Sequence, residues 1–293
     1  MEIKAYDNDN MIPKEYYPIT KSVEWSIQSN NPYIAKSHFT DGGYESFELL
    51  LNRFGTINLS DTCKYKSYDS DNNLLSCSCP VKVVLENDSI VDKTLVLRIN
   101  ASNRKIESLV FALTQKAEAD IFDSATPWSK HSRYKILGFL EDMQTALILK
   151  DEKYFKRIIS DNAVIMVDST MEYFIMNGDN EDVSGEKVVN NRRSRAELIK
   201  RLKNLFDRGR CTTVYDEDFT VGLISTNGIL PRDAAFAIQI RQLYTCSNGH
   251  ADRGYLTLFL NMGGKSPLIE VLLWQSEGNV MPYYDFIKQF RIE

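Results

Sequence analysis

The chain has 293 residues, about twice a usual domain length, which argues for two units each able to bury a core. With 35 Lys+Arg against 40 Asp+Glu its net charge is -5, so no strong positive field exists to hold nucleic acid or an anionic membrane. No apolar run approaches the roughly 20 residues a membrane-spanning helix needs.

Residues 1–21 are polar, contain Pro13 and Pro18 and show no clear period, so they read as a tail or ordered arm. The opening MEIKAYDNDN has no apolar block, hence no signal peptide in the chain as given, which points to the cytoplasm. Residues 22–115 read as a small α+β module. Phe47, Leu50, Leu51 and Phe54 share one helical face, and Gly55 supplies the stop. Four strand-like runs follow, Thr56–Tyr68, Leu74–Glu86, Asp92–Asn100 and Lys105–Leu113, separated by short clusters of turn formers that favour an antiparallel meander.

If Asp69–Asn73 is a hairpin turn, opposite residues have numbers summing to about 142, which sets Cys63 across from Cys79. Five cysteines (Cys63, Cys77, Cys79, Cys211, Cys246) argue against a disulfide framework and fit a reducing compartment. Two buried thiols are therefore the expectation at Cys63 and Cys79, with a disulfide the alternative. The Cys-x-Cys lacks a second ligand pair, so no metal is expected.

Residues 116–131 are mixed and polar, with Pro127 interrupting them, and read as a linker that Trp128 can pin down. Residues 132–293 form the second unit. Ile136, Phe139, Leu140, Met143, Ala146 and Leu147 make the apolar stripe of a long helix. Asp151 can cap a shorter helix carrying Tyr154, Phe155, Ile158 and Ile159, before Ser160-Asp161-Asn162 turns the chain into the strand AVIMV. Met171–Asn191 reads as a loop or irregular hairpin. Ser194 and Glu197 then form a capping box for a helix with Leu198, Leu202, Leu205 and Phe206 on one face, ended by Gly209. Strands follow at Ala234–Cys246, Tyr255–Asn261 and Leu268–Gln275, with an earlier one around Cys211–Leu223.

Helix, short helix, strand, helix and a meander of long strands is the order of the nuclear transport factor two-like superfamily, also called SnoaL-like or cystatin-like. The stretches FLEDMQTALILKDEKYFKRIISDNAVIMV and QLYTCSNGHADRGYLTLFLNMGGKSPLIEVLLWQSE, with the capped helix between them, resemble bacterial proteins of unassigned function that carry this domain at the C-terminus. In that set an abbreviated related module precedes it, similar to the segment from GGYESFELLLNRFG to the strands CSCPVKVVLENDSIVDKTLVLRINASNRKIESLVFAL. The resemblance implies an α+β protein of two modules, each with helices packed on a curved antiparallel sheet, the second a cone with a cavity at its open end. It also implies export, in disagreement with the leaderless start, and it makes a homodimer through the open sheet face an option.

Period-two alternation puts Phe236, Ile238, Ile240, Gln242 and Tyr244 on one face, and Leu268, Glu270, Leu272 and Trp274 on another. Gln242, Tyr244, Glu270 and Trp274 are therefore candidates for the cone lining. A carboxylate beside a Tyr and a Trp in an apolar pocket is a possible general base. The alternative places Glu270 outward, paired with Arg241. Asp142 and Asp168 border the cone mouth in the general topology, with a solvated helix face and a strand-end turn as the alternatives. His38, His131 and His250 have no acid or nucleophile at a recognisable spacing, and the basic run NNRRSRAELIKRLK reads as a solvated helix. Phosphate-loop, dinucleotide, serine-hydrolase and zinc-protease motifs are absent from the sequence, so no cofactor is expected. The reading that results is a non-catalytic binding module for a small apolar ligand, a peptide or a partner subunit. The alternative is a small-molecule isomerase, hydratase or cyclase.

Overall fold

The computed structural model describes residues 12–54, 57–69, 74–84, 88, 90–123, 128–176, 182–207, 211–223, 234–246, 249, 251–264, 266–278, 280–282 and 285. Only the backbone is described over 53–54, 65–69, 168–176, 182–192 and 211–223. The expected stops at Gly55 and Gly209, most of the 69–73 turn, Pro127 and His250 lie outside the described residues.

The first module begins earlier than the sequence reading has it. A 3-10 turn at Lys14–Tyr16 leads into α1 (Tyr17–Ser29), and Pro18 sits in the first turn of that helix, where its missing N–H is no loss. Tyr16, Ile19, Val23 and Ile27 are buried at three- and four-residue spacing, so the stretch expected as a tail or ordered arm is ordered from Lys14 and sends Tyr16, Ile19 and Thr20 into the first core. Asn30 closes α1 in the left-handed region (φ 50°), the Asn31 side chain caps a 3-10 helix at Pro32–His38, and α2 (Asp41–Phe54) follows.

Behind these helices lies an antiparallel sheet of β1 (Ile57–Leu59), β2 (Lys64–Asp69), β3 (Leu74–Val84), β4 (Ile90–Asn100) and β5 (Lys105–Phe111). Its order is β1-β3-β4-β5, with β2 also paired to β3. The run Thr56–Tyr68 is thus two strands. The β2–β3 register starts at Lys64↔Ser78 and Tyr65↔Cys77, the expected sum of 142, before a bulge shifts it. Cys63 and Cys79 are disulfide-bonded, with Cα atoms 4.2 Å apart, which corrects the expectation of two thiols. Cys246 is disulfide-bonded as well, and the residue opposite it in its ladder is Cys211. Cys77 keeps a buried thiol, its pKa pushed up to about 12 by burial.

A helix the sequence reading lacks, α3 (Gln115–Asp123), occupies the expected linker, with Ala117 and Ile121 fully buried. Trp128 is buried edge-on against Phe236, ring centroids 5.2 Å apart. Then come α4 (Lys130–Leu149) and α5 (Glu152–Ile158), where Asp151 Oδ1 accepts the Tyr154 N–H at 3.0 Å as its cap.

The second sheet is built from β6 (Ile159–Met176), β7 (Asp182–Arg193), β8 (Cys211–Leu223), β9 (Ala235–Cys246), β10 (Ala251–Asn261) and β11 (Leu268–Ser276). Between β7 and β8 runs α6 (Arg195–Phe206), whose capping box at Ser194 and Glu197 forms in full. The sheet order is β7-β6-β11-β10-β9-β8, parallel only between β11 and β6. One local reading changes, since residues 160–162 continue β6 instead of turning, and of the two readings of the segment from Met171 it is the hairpin that forms, as the long β6–β7 pairing.

Helix α4 belongs to both modules. Ile136, Leu140, Met143 and Leu147 enter the second core, while Ile148 and Leu149 join the first. Its polar residues are buried too. Thr145 Oγ1 accepts the Phe111 N–H at 2.7 Å, and Gln144 Nε2 donates to the carbonyls of Phe111 (3.2 Å) and Ala112 (3.0 Å), so the end of β5 is satisfied by the helix.

Candidate functional site

Between α4, α5 and α6 and the inner face of the second sheet the helices leave a cavity of about 510 Å³. Met143, Leu147, Phe155, Leu198, Leu202 and Leu205 form its helical wall, and Gln242, Tyr244, Leu256, Leu272 and Trp274 its sheet wall. Alternation along β9 explains Gln242 and Tyr244, which share the face of the buried Phe236, Ile238 and Ile240. In the ladder Gln242 faces Gly254 and Tyr244 faces Asp252. Glycine at 254 is required because a Cβ there would run into the Gln275 backbone carbonyl and would also lie 2.8 Å from Trp274 Cζ2. The missing side chain gives the indole room beside Gln242.

Glu270 does not line this cavity. On β11, Phe259 pairs with Val271 and Leu260 with Ile269, so Glu270 is the extra residue of a β-bulge, and the ladder to β6 shifts at the same place. The bulge brings Ile269 to the core face alongside Leu272 and Trp274, and strict alternation fails there. The anticipated Arg241 partner is taken as well, since Arg241 binds Glu277, with Nη2 2.7 Å and Nε 2.8 Å from its carboxylate.

Asp168 lies within β6, opposite Asn190, and not at a strand-end turn; its side chain is outside the described residues. Asp142 is drawn into a second cleft, of about 350 Å³, between the first sheet and α4 and α5. Arg98 of β4 reaches across it, donating from Nη1 to Asp142 Oδ1 at 2.7 Å and from Nη2 to Glu141 Oε2 at 2.8 Å and the Gly138 carbonyl at 3.2 Å. Burial acts to lower the Arg98 pKa, but the two carboxylates more than offset this and hold it above its ordinary value. Burial raises the Asp142 carboxyl, against the opposing pull of Arg98. These charges already satisfy one another, and the cluster joins the two modules.

Asp252 is the carboxylate that the sequence reading misses at the cone. That reading leaves it in the loop SNGHADRG, whereas β10 begins at Ala251 and sets Asp252 beside Tyr244 at the cavity wall. Alternation counted back from Leu256 gives this placement. Arg201 and Asn204 of α6 add exposed polar groups at the rim.

The outward face of the second sheet carries another cluster, in which Met166, Ala237, Phe259, Val271 and Leu273 pack with Met281. Gln239 Nε2 donates there to the Met281 carbonyl at 2.8 Å and to Thr257 Oγ1 at 3.0 Å. Part of the face expected to receive a partner is therefore covered by Met281 of the chain itself.

No family model matches the sequence, and neither does any curated protein sequence. Solved structures similar to it include naphthalene 1,2-dioxygenase with indole bound in its active site, at 7% identity over 56% of this chain and 89% of that one, TM-score 0.39. A putative scytalone dehydratase of Novosphingobium aromaticivorans is similar at 9% identity over 50% and 88%, TM-score 0.33. Kfla4162 of Kribbella flavida is similar at 9% over 50% and 92%, TM-score 0.34. Likeness at these values carries no argument about function. The fold is α+β, and its second module has the element order of a nuclear transport factor two-like cone. Among the described residues no helix is long and apolar enough to cross a membrane.

Proposed function

We propose that the protein is a non-catalytic binding module whose second module holds a small apolar ligand in the cone. One observation carries this reading: a cavity of about 510 Å³, walled mainly by Leu, Met, Phe and Trp side chains and edged by a few polar groups. That size and composition suit a ligand pocket. A peptide or second subunit on the outward sheet face is less favoured, because Met281 packs on that face. The bonded Cys63–Cys79 pair supports an oxidising compartment over the reducing one that the cysteine count suggests.

The isomerase, hydratase or cyclase reading now depends on Asp252 in place of Glu270, and its support is the position of that carboxylate beside Tyr244 at the wall. Calorimetry and thermal unfolding with naphthalene-sized aromatic probes test the binding reading. Saturable binding with a concentration-dependent rise in Tm is expected. Leu272→Trp, which fills the cavity, should abolish both while leaving the circular dichroism spectrum intact. Mass spectrometry should recover the probes unchanged, whereas conversion that disappears in Asp252→Asn would establish the enzyme reading. Absence of binding across the panel, or undiminished binding by Leu272→Trp, defeats the cone as a ligand site.

A further inference from the structure

We infer that Gln242 selects, for the cone, apolar ligands that carry an amide-like edge, a hydrogen-bond donor next to an acceptor as in a lactam or carboxamide. This rests on the cone being a ligand site. The observation behind it is that neither end of the Gln242 side-chain amide has a hydrogen-bond partner among the described residues, although its Oε1 is closed off from solvent. Among the described residues three other glutamines are buried, and two of them are fixed by their side-chain hydrogen bonds. Gln144 holds the carbonyls of Phe111 and Ala112, and Gln239 holds Thr257 and Met281, so each is fixed by the structure around it.

A buried polar group left unsatisfied costs about 1–3 kcal/mol, so one that borders a cavity gains most when a water or a ligand there completes it. Among the described residues none is bonded to the Gln242 side chain. Across β9 and β10 it faces Gly254, which has no side chain, and beyond Gly254 lies the Trp274 indole. On the cavity side the helices present mainly Leu198, Leu202 and Leu205, with Arg201 and Asn204 exposed at the rim. Because no bond holds the amide, rotation about its last torsion turns either its carbonyl or its NH2 toward the cavity. A planar primary amide pairs best with a group offering one donor and one acceptor side by side, since both its hydrogen bonds then form at once. A flat ring system bearing that edge would also stack on Trp274.

The test uses four bicyclic probes of similar size on the full chain: 4-methyl-2-quinolone, its isomer 1-methyl-2-quinolone in which the donor is blocked, 2-quinolone and naphthalene. The inference expects 4-methyl-2-quinolone to bind about tenfold more tightly than the 1-methyl isomer, as befits one lost hydrogen bond. It also expects Gln242→Leu to erase that difference while naphthalene binding stays or improves. The comparison of isomers on the unmodified chain stands even if the variant folds poorly. Equal affinities for the two isomers, with naphthalene bound, overturn the selectivity and leave the cone reading standing. If none of the four binds, both fall.

Discussion

In the first module the sheet face bearing Cys77, Cys79, Leu95, Leu97 and Ile99 is met directly by the helices: Val23, Phe47 and Leu50 have no exposed surface, and Phe39 stacks on Phe47 with ring centroids 4.9 Å apart. In the second, α4, α5 and α6 cross a sheet of similar make but stand off it near β9 and β11, where Leu272 and Trp274 stay only partly buried and the cavity opens. Both modules are helices on antiparallel strands, and the difference is filling. A filled face gives stability, and an unfilled one leaves space that a ligand can occupy.

Core truncations should separate the two faces most strongly. Phe47→Ala removes a fully enclosed ring and should cost about 3–5 kcal/mol in urea denaturation. Leu272→Ala enlarges a cavity that already exists, loses mainly the transfer contribution, and should cost about 1–2 kcal/mol. Equal costs would mean that the cone is as tightly packed as the first core.

The junction comes next. Arg98→Met leaves Glu141, whose side chain is 3% exposed, without its guanidinium, and should destabilise by about 3 kcal/mol. Replacing Glu141 by Met as well should restore most of that loss, because the deeper of the two carboxylates left without Arg98 is gone and Asp142, whose side chain is 36% exposed, can be hydrated. If the double variant is no better than the single one, the clamp is not what joins the modules.

A pH-dependent effect is expected at Lys93, on the core-facing side of β4, where burial brings the amine down to about 8 from an ordinary 10.5. Its proton is held less tightly in the folded chain than in the unfolded one. Stability should therefore rise with pH between about 8 and 10.5, as the folded amine loses a proton that the unfolded chain still binds. Lys93→Met should be more stable than the parent below that window and should lack the rise. Thermal unfolding of both across the range decides it, and parallel pH profiles would remove Lys93 as the cause.

Local pattern sufficed wherever the determinant is a few neighbouring residues. The capping box at Ser194 and Glu197, the Asp151 cap, the stripe of α4, and the β9 face that delivers Gln242 and Tyr244 to the cavity all follow from spacing alone. The pairing that sets Cys63 across from Cys79 also follows, since a short hairpin fixes its own register. Even the first helix is legible in Tyr16, Ile19, Val23 and Ile27, but Pro13 and Pro18 disguise a helix start as a tail.

Glu270 shows where sequence ends. Its exclusion from the cone depends on a one-residue bulge between strands brought together from distant parts of the chain, and each shift of one residue exchanges the faces of a strand. The burial of Glu141, Gln144 and Thr145 likewise depends on a second sheet arriving against α4, and no helical period encodes what will pack on the polar side of a helix. The sequence determined by itself the helices and strands whose period is uninterrupted, such as α4, α6 and β9, and which β9 residues face inward, but not α1 or α3. Only the tertiary structure decided which carboxylates meet the cone, Asp252 and not Glu270, because long-range register is settled by packing between modules and strands and not by the residues of any one of them.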